Sequence, residues 1–267
     1  MSGHRLSPGL VAAAAGGTAA LAHVGPAIAW VSTIRRCLIP RLHGIGRNTH
    51  VALTFDDGPD PASTPAFLSA LDRLGWKATF FMLGSMAERH ASLAAEVAAA
   101  GHEVGLHGYA HRNQLARTPR AVVGDLARGL DVVAGATGAF PRWHRPPYGV
   151  ISGAGLLAAR RLELELVLWS AWGRDWRACA TPASVVADIR ADMCGGGTVL
   201  LHDTDYASDA GAWRSALGAL PMLAEYFADA GWEVGPLRDH AIGGGLRDHA
   251  IGGGLDHTIG GGLGPGG

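Results

Sequence analysis

The sequence predicts an α/β protein whose parallel sheet closes into a barrel. Short apolar runs alternate with longer stretches of helical period, as expected of repeated strand and helix units. The residues able to do chemistry fall where those runs end, which is where such barrels carry their active sites. At 267 residues and 48% apolar content, the chain can bury a large core.

In chain order, the first strand-like run is Val51 to Phe55, halted by a turn sequence at Gly58-Pro59. A helical pattern runs from Pro65 to Leu74, with proline where a helix tolerates it. Ala78 to Leu83 reads as the second strand and Met86 to Ala100 as one helix. Glu103 to His107 is the third strand, followed by a helix over Pro119 to Ala136. Strands at Arg142 to Arg145 and Leu164 to Ser170 flank a helix over Gly153 to Arg161. A helix over Pro182 to Met193 leads to the strand Thr198 to His202, and a helix over Ala212 to Ala230 to a last strand at Trp232 to Val234. Pro221 predicts a kink or a later start in that last helix, because proline lacks the N–H the helix needs.

Asp56 and Asp57 stand side by side at the end of the first strand. Adjacent carboxylates repel and raise one another's pKa unless a cation or proton intervenes, which suggests one bound to metal and the other poised as a base. A polar turn capped by Asp accounts for the segment equally well on its own. His107 and His111, four apart, would lie on one side of a helical turn. With Asp57 they make a three-ligand set with an open position, the pattern of a catalytic zinc rather than a structural one. Cys37, Cys179 and Cys194 are scattered and show no ligand spacing and no disulfide framework.

Three further segments follow: Arg145-Pro146-Pro147-Tyr148, Trp169 to Trp176, and Val199-Leu200-Leu201-His202-Asp203. Together with Thr54 to Gly58 and His107 to His111, and in this order, they resemble the motifs of the NodB-like polysaccharide deacetylases, carbohydrate esterase family four. The resemblance spans roughly residues 48 to 236. It implies a distorted (β/α) barrel of about seven parallel strands. It also implies one divalent ion, Zn²⁺ or Co²⁺ or similar, held by Asp57, His107 and His111, with Asp56 as the catalytic base and His202 as the general acid. Arg145 would orient Asp56, Asp175 would hold Arg145, and the backbone N–H of Tyr148 would face the oxyanion. Trp176 and Leu200 would form the apolar pocket for the acetyl methyl. Two positions depart from the pattern: Gly108 stands where Ser or Thr is usual, and Trp172 where an additional Asp often occurs.

The resemblance further implies hydrolysis of the N-acetyl group of N-acetylglucosamine in a glycan such as peptidoglycan or a chitin-like oligomer. An O-acetyl esterase on xylan, a catalytically silent glycan-binding protein and an enzyme acting on a lipid-linked sugar are the other readings. A net charge of −1 leaves no electrostatic footprint for nucleic acid.

Flanking segments are expected at 1–47 and 237–267. From Leu6 to Ile34 the chain is apolar and uncharged, between Arg5 and Arg35-Arg36. This exceeds the about 20 residues of a membrane span and is read as a single helical anchor. Ala27-Ile28-Ala29 leaves a cleaved signal open, and a helix packed on the barrel is the third reading. The catalytic domain is therefore expected to be membrane-anchored or secreted, outside the cytoplasm. The positive-inside tendency of Arg35 and Arg36 opposes that orientation. The tail repeats Leu237-Arg238-Asp239-His240-Ala241-Ile242-Gly243-Gly244-Gly245 and reads as a disordered low-complexity extension.

Overall fold

The computed structural model describes residues 17–242. Seven strands follow one another in the order β5-β4-β3-β2-β1-β7-β6, and an eighth, β8, pairs with β1. They are β1 His50–Asp56, β2 Thr79–Met82, β3 Glu103–Leu106, β4 Trp143–His144, β5 Glu165–Leu166, β6 Ala171–Trp172, β7 Thr198–His202 and β8 Glu233–Gly235. Every pairing is parallel.

The run expected as one strand from Leu164 to Ser170 is strand only at β5; its remainder leads directly into β6, and β5 and β6 lie at opposite ends of the strand order. Only residues 167–170 separate them, and a chain that short reaches at most about 17 Å. The sheet must therefore curl until its ends nearly meet. The backbone shows the crossing: Val167 N–H donates to the His144 carbonyl on one side, and Ser170 N–H to Thr198 on the other. Between them Leu168 N–H donates to the carbonyl of Leu42. The segment before β1 thus fills the seam.

Alternation along each strand sorts the side chains. In β1, Val51, Leu53 and Phe55 join the main core under the helices, while Ala52 packs inside the barrel with Phe81, Trp143 and Val167. Phe80 and Met82 of β2, and Val199 and Leu201 of β7, also face the helix side. Phe55 packs against Phe67 and Phe80, each at a centroid distance of 5.1 Å. Burial of one such ring stabilises by about 1.5–3 kcal/mol. Gly105 lies where the Phe81 ring leaves no room for a Cβ.

One helix is divided, and of the two expectations for another the later start is not met. The single helix over Met86 to Ala100 is broken into Gly84–Arg89 and Ala91–Ala99 by His90, whose backbone (φ −129°, ψ 47°) leaves the helical region. Trp213–Asp229 runs on through Pro221 without a later start. Pro221 sits on the exposed side, where solvent can satisfy the carbonyl it leaves unpaired.

The flanks are more closely tied to the barrel than the boundaries at 47 and 237 suggest. Residues 17–24 are helical, followed by Gly25–Trp30 and the helix Ser32–Leu38. Ala29 and Leu42 are buried with Ile151 and Leu168. Arg35, 2% exposed, donates to the carbonyls of Ala29, Trp30 and Trp169 and to His43 Nδ1. Among the described residues no helix is long and apolar enough to cross a membrane, and residues 6–16 of the expected anchor lie outside them. At the other end, residues 237–242 are packed rather than free. Leu237 and Ile242 are buried, and Leu237 N–H donates to Thr79 Oγ1. Two apolar residues five positions apart in a Gly-rich repeat give no periodic signal, so their burial was hidden. The remainder of the tail, 243–267, lies outside the described residues.

Candidate active site

The site stands at the carboxyl ends of β1, β3 and β7. Inward-facing parity places Asp56 and His202 there, and the two are register partners on neighbouring strands. Asp57 should by the same parity point away. It adopts φ +80°, a left-handed conformation rare for a non-glycine residue, and the chain turns so that both carboxylates line one cavity.

Asp57 Oδ1 lies 3.3 Å from His107 Nε2 and 3.5 Å from His111 Nε2. Ligand atoms of all three residues fall within 4.8 Å of one another. The histidines do not share a helical turn. Residues 107–111 form a loop, turned by Gly108 at φ +91°. Glycine suits the position, since a Cβ there would combine that φ with an approach of 3.0 Å to Asp125 Oδ2. The missing hydroxyl brace is replaced by other bonds. Asp125 accepts from Tyr109 N–H at 2.9 Å, and Gly84 N–H donates to the Gly108 carbonyl at 2.8 Å.

The donor set fits a divalent ion. His107 Nδ1–H donates to the Arg145 carbonyl at 2.8 Å, which leaves Nε2 as a lone pair aimed at Asp57. Burial, with neighbouring His107 adding to it, brings His111 down to about 4, so its ring is neutral at neutral pH, as ligation requires. Burial works against ionisation of Asp57, but His107, His111 and His202 outweigh it and hold that carboxyl at about 2. Asp57 Oδ1 is nevertheless buried with no hydrogen-bond partner among the described residues. An orphaned, ionised oxygen facing two imidazole lone pairs is what a cation would satisfy.

Arg145 lies fully buried beneath Asp56. Its Nη1 donates to Asp56 Oδ1 at 2.7 Å and to Thr54 Oγ1 at 2.8 Å, and its Nη2 to the Leu168 carbonyl at 2.8 Å. The guanidinium also stacks over Phe81, 4.1 Å from the ring centroid. Asp175 does not hold it, contrary to expectation. The Asp175 carboxylate is taken up by His202: one oxygen accepts the backbone N–H at 2.7 Å and the other the ring Nδ1–H at 3.0 Å. Burial alone would depress His202, but Asp175, with Asp57 and Asp56 adding to it, raises its pKa to about 10. With Nδ1 engaged, Nε2 is the nitrogen free to exchange a proton.

These groups surround a cavity of about 360 Å³. Trp176 and Leu200 line it as expected, Trp176 partly exposed and Leu200 buried. Tyr148 forms another wall at φ +60°, its ring edge-on to His111 at 4.4 Å. Four contributors were not foreseen. Thr54 braces Arg145 while donating to the Val199 carbonyl. Trp30 and Trp172 line the cavity. Asp203, raised by burial to about 7, packs against Gly58 and accepts from Thr64 at 2.5 Å, locking the turn that follows Asp57. The inward parity of Thr54 was visible in the sequence; the reach of Trp30 across the seam was not.

A curled parallel sheet that gathers an Asp-His-His cluster, a second Asp and a third His at its carboxyl end defines a class of α/β barrel, and similarity specifies it further. Residues 44–167 match the polysaccharide deacetylase family. The chain is 34% identical over 197 residues to a chitooligosaccharide deacetylase of Bradyrhizobium sp. (strain ANU 289), covering 70% of this chain and 88% of that one. The chain therefore belongs to the polysaccharide deacetylase family. It is 33% identical over 165 residues to the peptidoglycan-N-acetylglucosamine deacetylase PgdA of Listeria monocytogenes, covering 62% of this chain but only 34% of PgdA. Among solved structures, the Bc1960 peptidoglycan N-acetylglucosamine deacetylase aligns with a TM-score of 0.68 and 26% identity, over 74% of this chain and 91% of that one.

Proposed function

We propose that the protein is a metal-dependent deacetylase that hydrolyses the N-acetyl group of N-acetylglucosamine residues in a glycan such as peptidoglycan or a chitin-like oligomer. The observation that carries this reading is the orphaned Asp57 oxygen between His107 and His111, in one cavity with Asp56 and His202. The names of the relatives support the substrate class.

Asp57, His107 and His111 would hold the ion, most simply Zn²⁺. Such an ion supplies Lewis acidity, polarising an acyl carbonyl and making water acidic near neutral pH. Asp56, fixed by Arg145, accepts the proton from the attacking water. His202 delivers a proton from Nε2 to the departing amine nitrogen. Trp176 and Leu200 receive the acetyl methyl, and the backbone N–H of Tyr148 is the donor assigned to the oxyanion.

Purified protein with Zn²⁺ is expected to release acetate from acetylated chitooligosaccharides or cell-wall glycan strands. Chelation and Asp57→Ala should each abolish release, and Co²⁺ should restore it after chelation. Release that persists through chelation would exclude the mechanism, and acetate from acetylated xylan alone would reassign the protein as an O-acetyl esterase.

We also propose that the protein works outside the cytoplasm and meets a membrane through residues 6–34. In support, Leu21, Val24, Ile28, Trp30 and Val31 are all exposed large apolar side chains in that stretch. Cell fractionation of the full chain should place it in the membrane or secreted fraction; recovery in the cytosol alone would refute the placement.

A further inference from the structure

Beside the catalytic cavity lies a larger one, of about 630 Å³. The two share Trp30, Trp169 and Trp172 as a common wall. Trp169 and Trp172 lie 5.5 Å apart by ring centroid, and Trp172 stacks on Trp176 at 6.4 Å. A row of indoles therefore leads from the acetyl pocket into the second cavity. Indole faces suit pyranose rings, whose C–H faces are apolar while their hydroxyl edges stay polar. Trp172 carries a buried indole N–H with no partner among the described residues, a donor that an oxygen-rich ligand would satisfy.

Among the charged residues of the lining, arginines predominate. Arg35, Arg36 and Arg174 face it, against Asp192 as the acidic residue. Arg174 is paired with Asp188 at 3.2 Å and Asp192 at 3.4 Å, so its charge is balanced. Arg35 is spent on carbonyls and His43, which orient it without neutralising it. Arg36 is exposed and makes no ion pair among the described residues. Trp30, Arg35 and Arg36 all come from the stretch before residue 44, where the match to the family begins. This wall is thus an addition to the family domain, docked by the buried Arg35.

We infer that the second cavity is a subsite for the sugar next to the one being deacetylated, and that it selects a sugar bearing an anionic substituent, a carboxylate or a phosphate. The inference rests on the deacetylase reading and deepens it. The indole wall holds the pyranose ring, and Arg36 meets the anion at the cavity rim, where partial desolvation strengthens the pairing.

The test compares kcat/KM for four substrates of equal length. They are neutral chitotetraose, the same oligomer with a terminal phosphate, a tetrasaccharide alternating N-acetylglucosamine with a carboxylated ether sugar, and that tetrasaccharide with its carboxylates converted to carboxamides. At least one anionic substrate is expected to exceed its neutral counterpart by about tenfold, mainly through KM, and the winning arm identifies the anion. The advantage should shrink with added salt. R36Q should remove most of it, and R36E should reverse it. Equal values for the neutral and both anionic substrates, or an advantage untouched by R36Q, would overturn the subsite while leaving the deacetylase in place. Failure to release acetate from any of the four would overturn the deacetylase reading and the inference with it.

Discussion

Arg145→Leu is expected to lower the unfolding free energy by about 3–5 kcal/mol, because it strands the Asp56 carboxylate in a buried site with its cation gone. Asp56 is 3% exposed and Arg145 is 0% exposed, so water does not reach the side of the carboxylate that the guanidinium occupies. Arg145 is also what fixes the Asp56 carboxylate in the cavity, so the variant should lose the positioned base of the proposed mechanism, with kcat falling by about 10²- to 10⁴-fold. The double variant Asp56→Asn/Arg145→Leu separates the two effects. It removes both charges, leaves Thr54 bonded to Val199, and should recover much of the stability without recovering activity. Recovery is expected because the native pair is imperfectly satisfied: Arg145 Nε is buried without a partner among the described residues. Urea unfolding of the two variants, beside acetate release, checks the prediction. A double variant as unstable as the single one would show that the guanidinium holds the barrel through Leu168 and Phe81 rather than through Asp56.

That pair illustrates what the sequence could disclose. Strand parity made Thr54, Asp56 and His202 face inward, and the local run of each strand was enough to read it. Asp57 was legible only as part of the Asp-Asp-Gly-Pro pattern. Its presence in the same cavity depends on a left-handed φ that alternation alone would not give. His107 and His111 were identified from their spacing, but through the wrong geometry: Gly108 makes a loop deliver what a helical turn was expected to deliver. The partner of Asp175 was out of reach for a different reason. Asp175 follows β6 and His202 ends β7, and β6 begins only after a run that reads as one strand but crosses the barrel seam. Which residues meet across a seam depends on how far the sheet curls, a property of all its strands together. The same holds for the segment before β1, whose apolar composition reads first as a membrane anchor and leaves a signal or a barrel surface open. Its docking is set by Arg35, one charged residue that reaches a carbonyl on residue Trp169.

The corrected role of Asp175 carries the second large effect. Asp175→Asn keeps an acceptor for the His202 backbone N–H but removes the negative charge that outweighs burial and raises His202 to about 10. The pKa of His202 should fall, and the alkaline limb of the pH profile of kcat/KM should move to lower pH, since the acid form is lost sooner. At neutral pH kcat should fall about 10²-fold or more, with KM little changed, because in the proposed mechanism the imidazolium is needed only when the amine departs. Stability supplies an independent readout with a definite sign. A histidine raised in the folded state binds its proton more tightly there than in the unfolded chain, where its pKa is about 6.5. Its contribution is fully present below about 6.5 and is lost as pH rises through about 10. The wild type, measured with chelator present, should therefore lose more unfolding free energy between these limits than Asp175→Asn does. An unchanged alkaline limb together with an unchanged stability slope would mean that Asp175 only fixes the His202 backbone, and that the charge on the ring is set by Asp56 and Asp57 across the cavity.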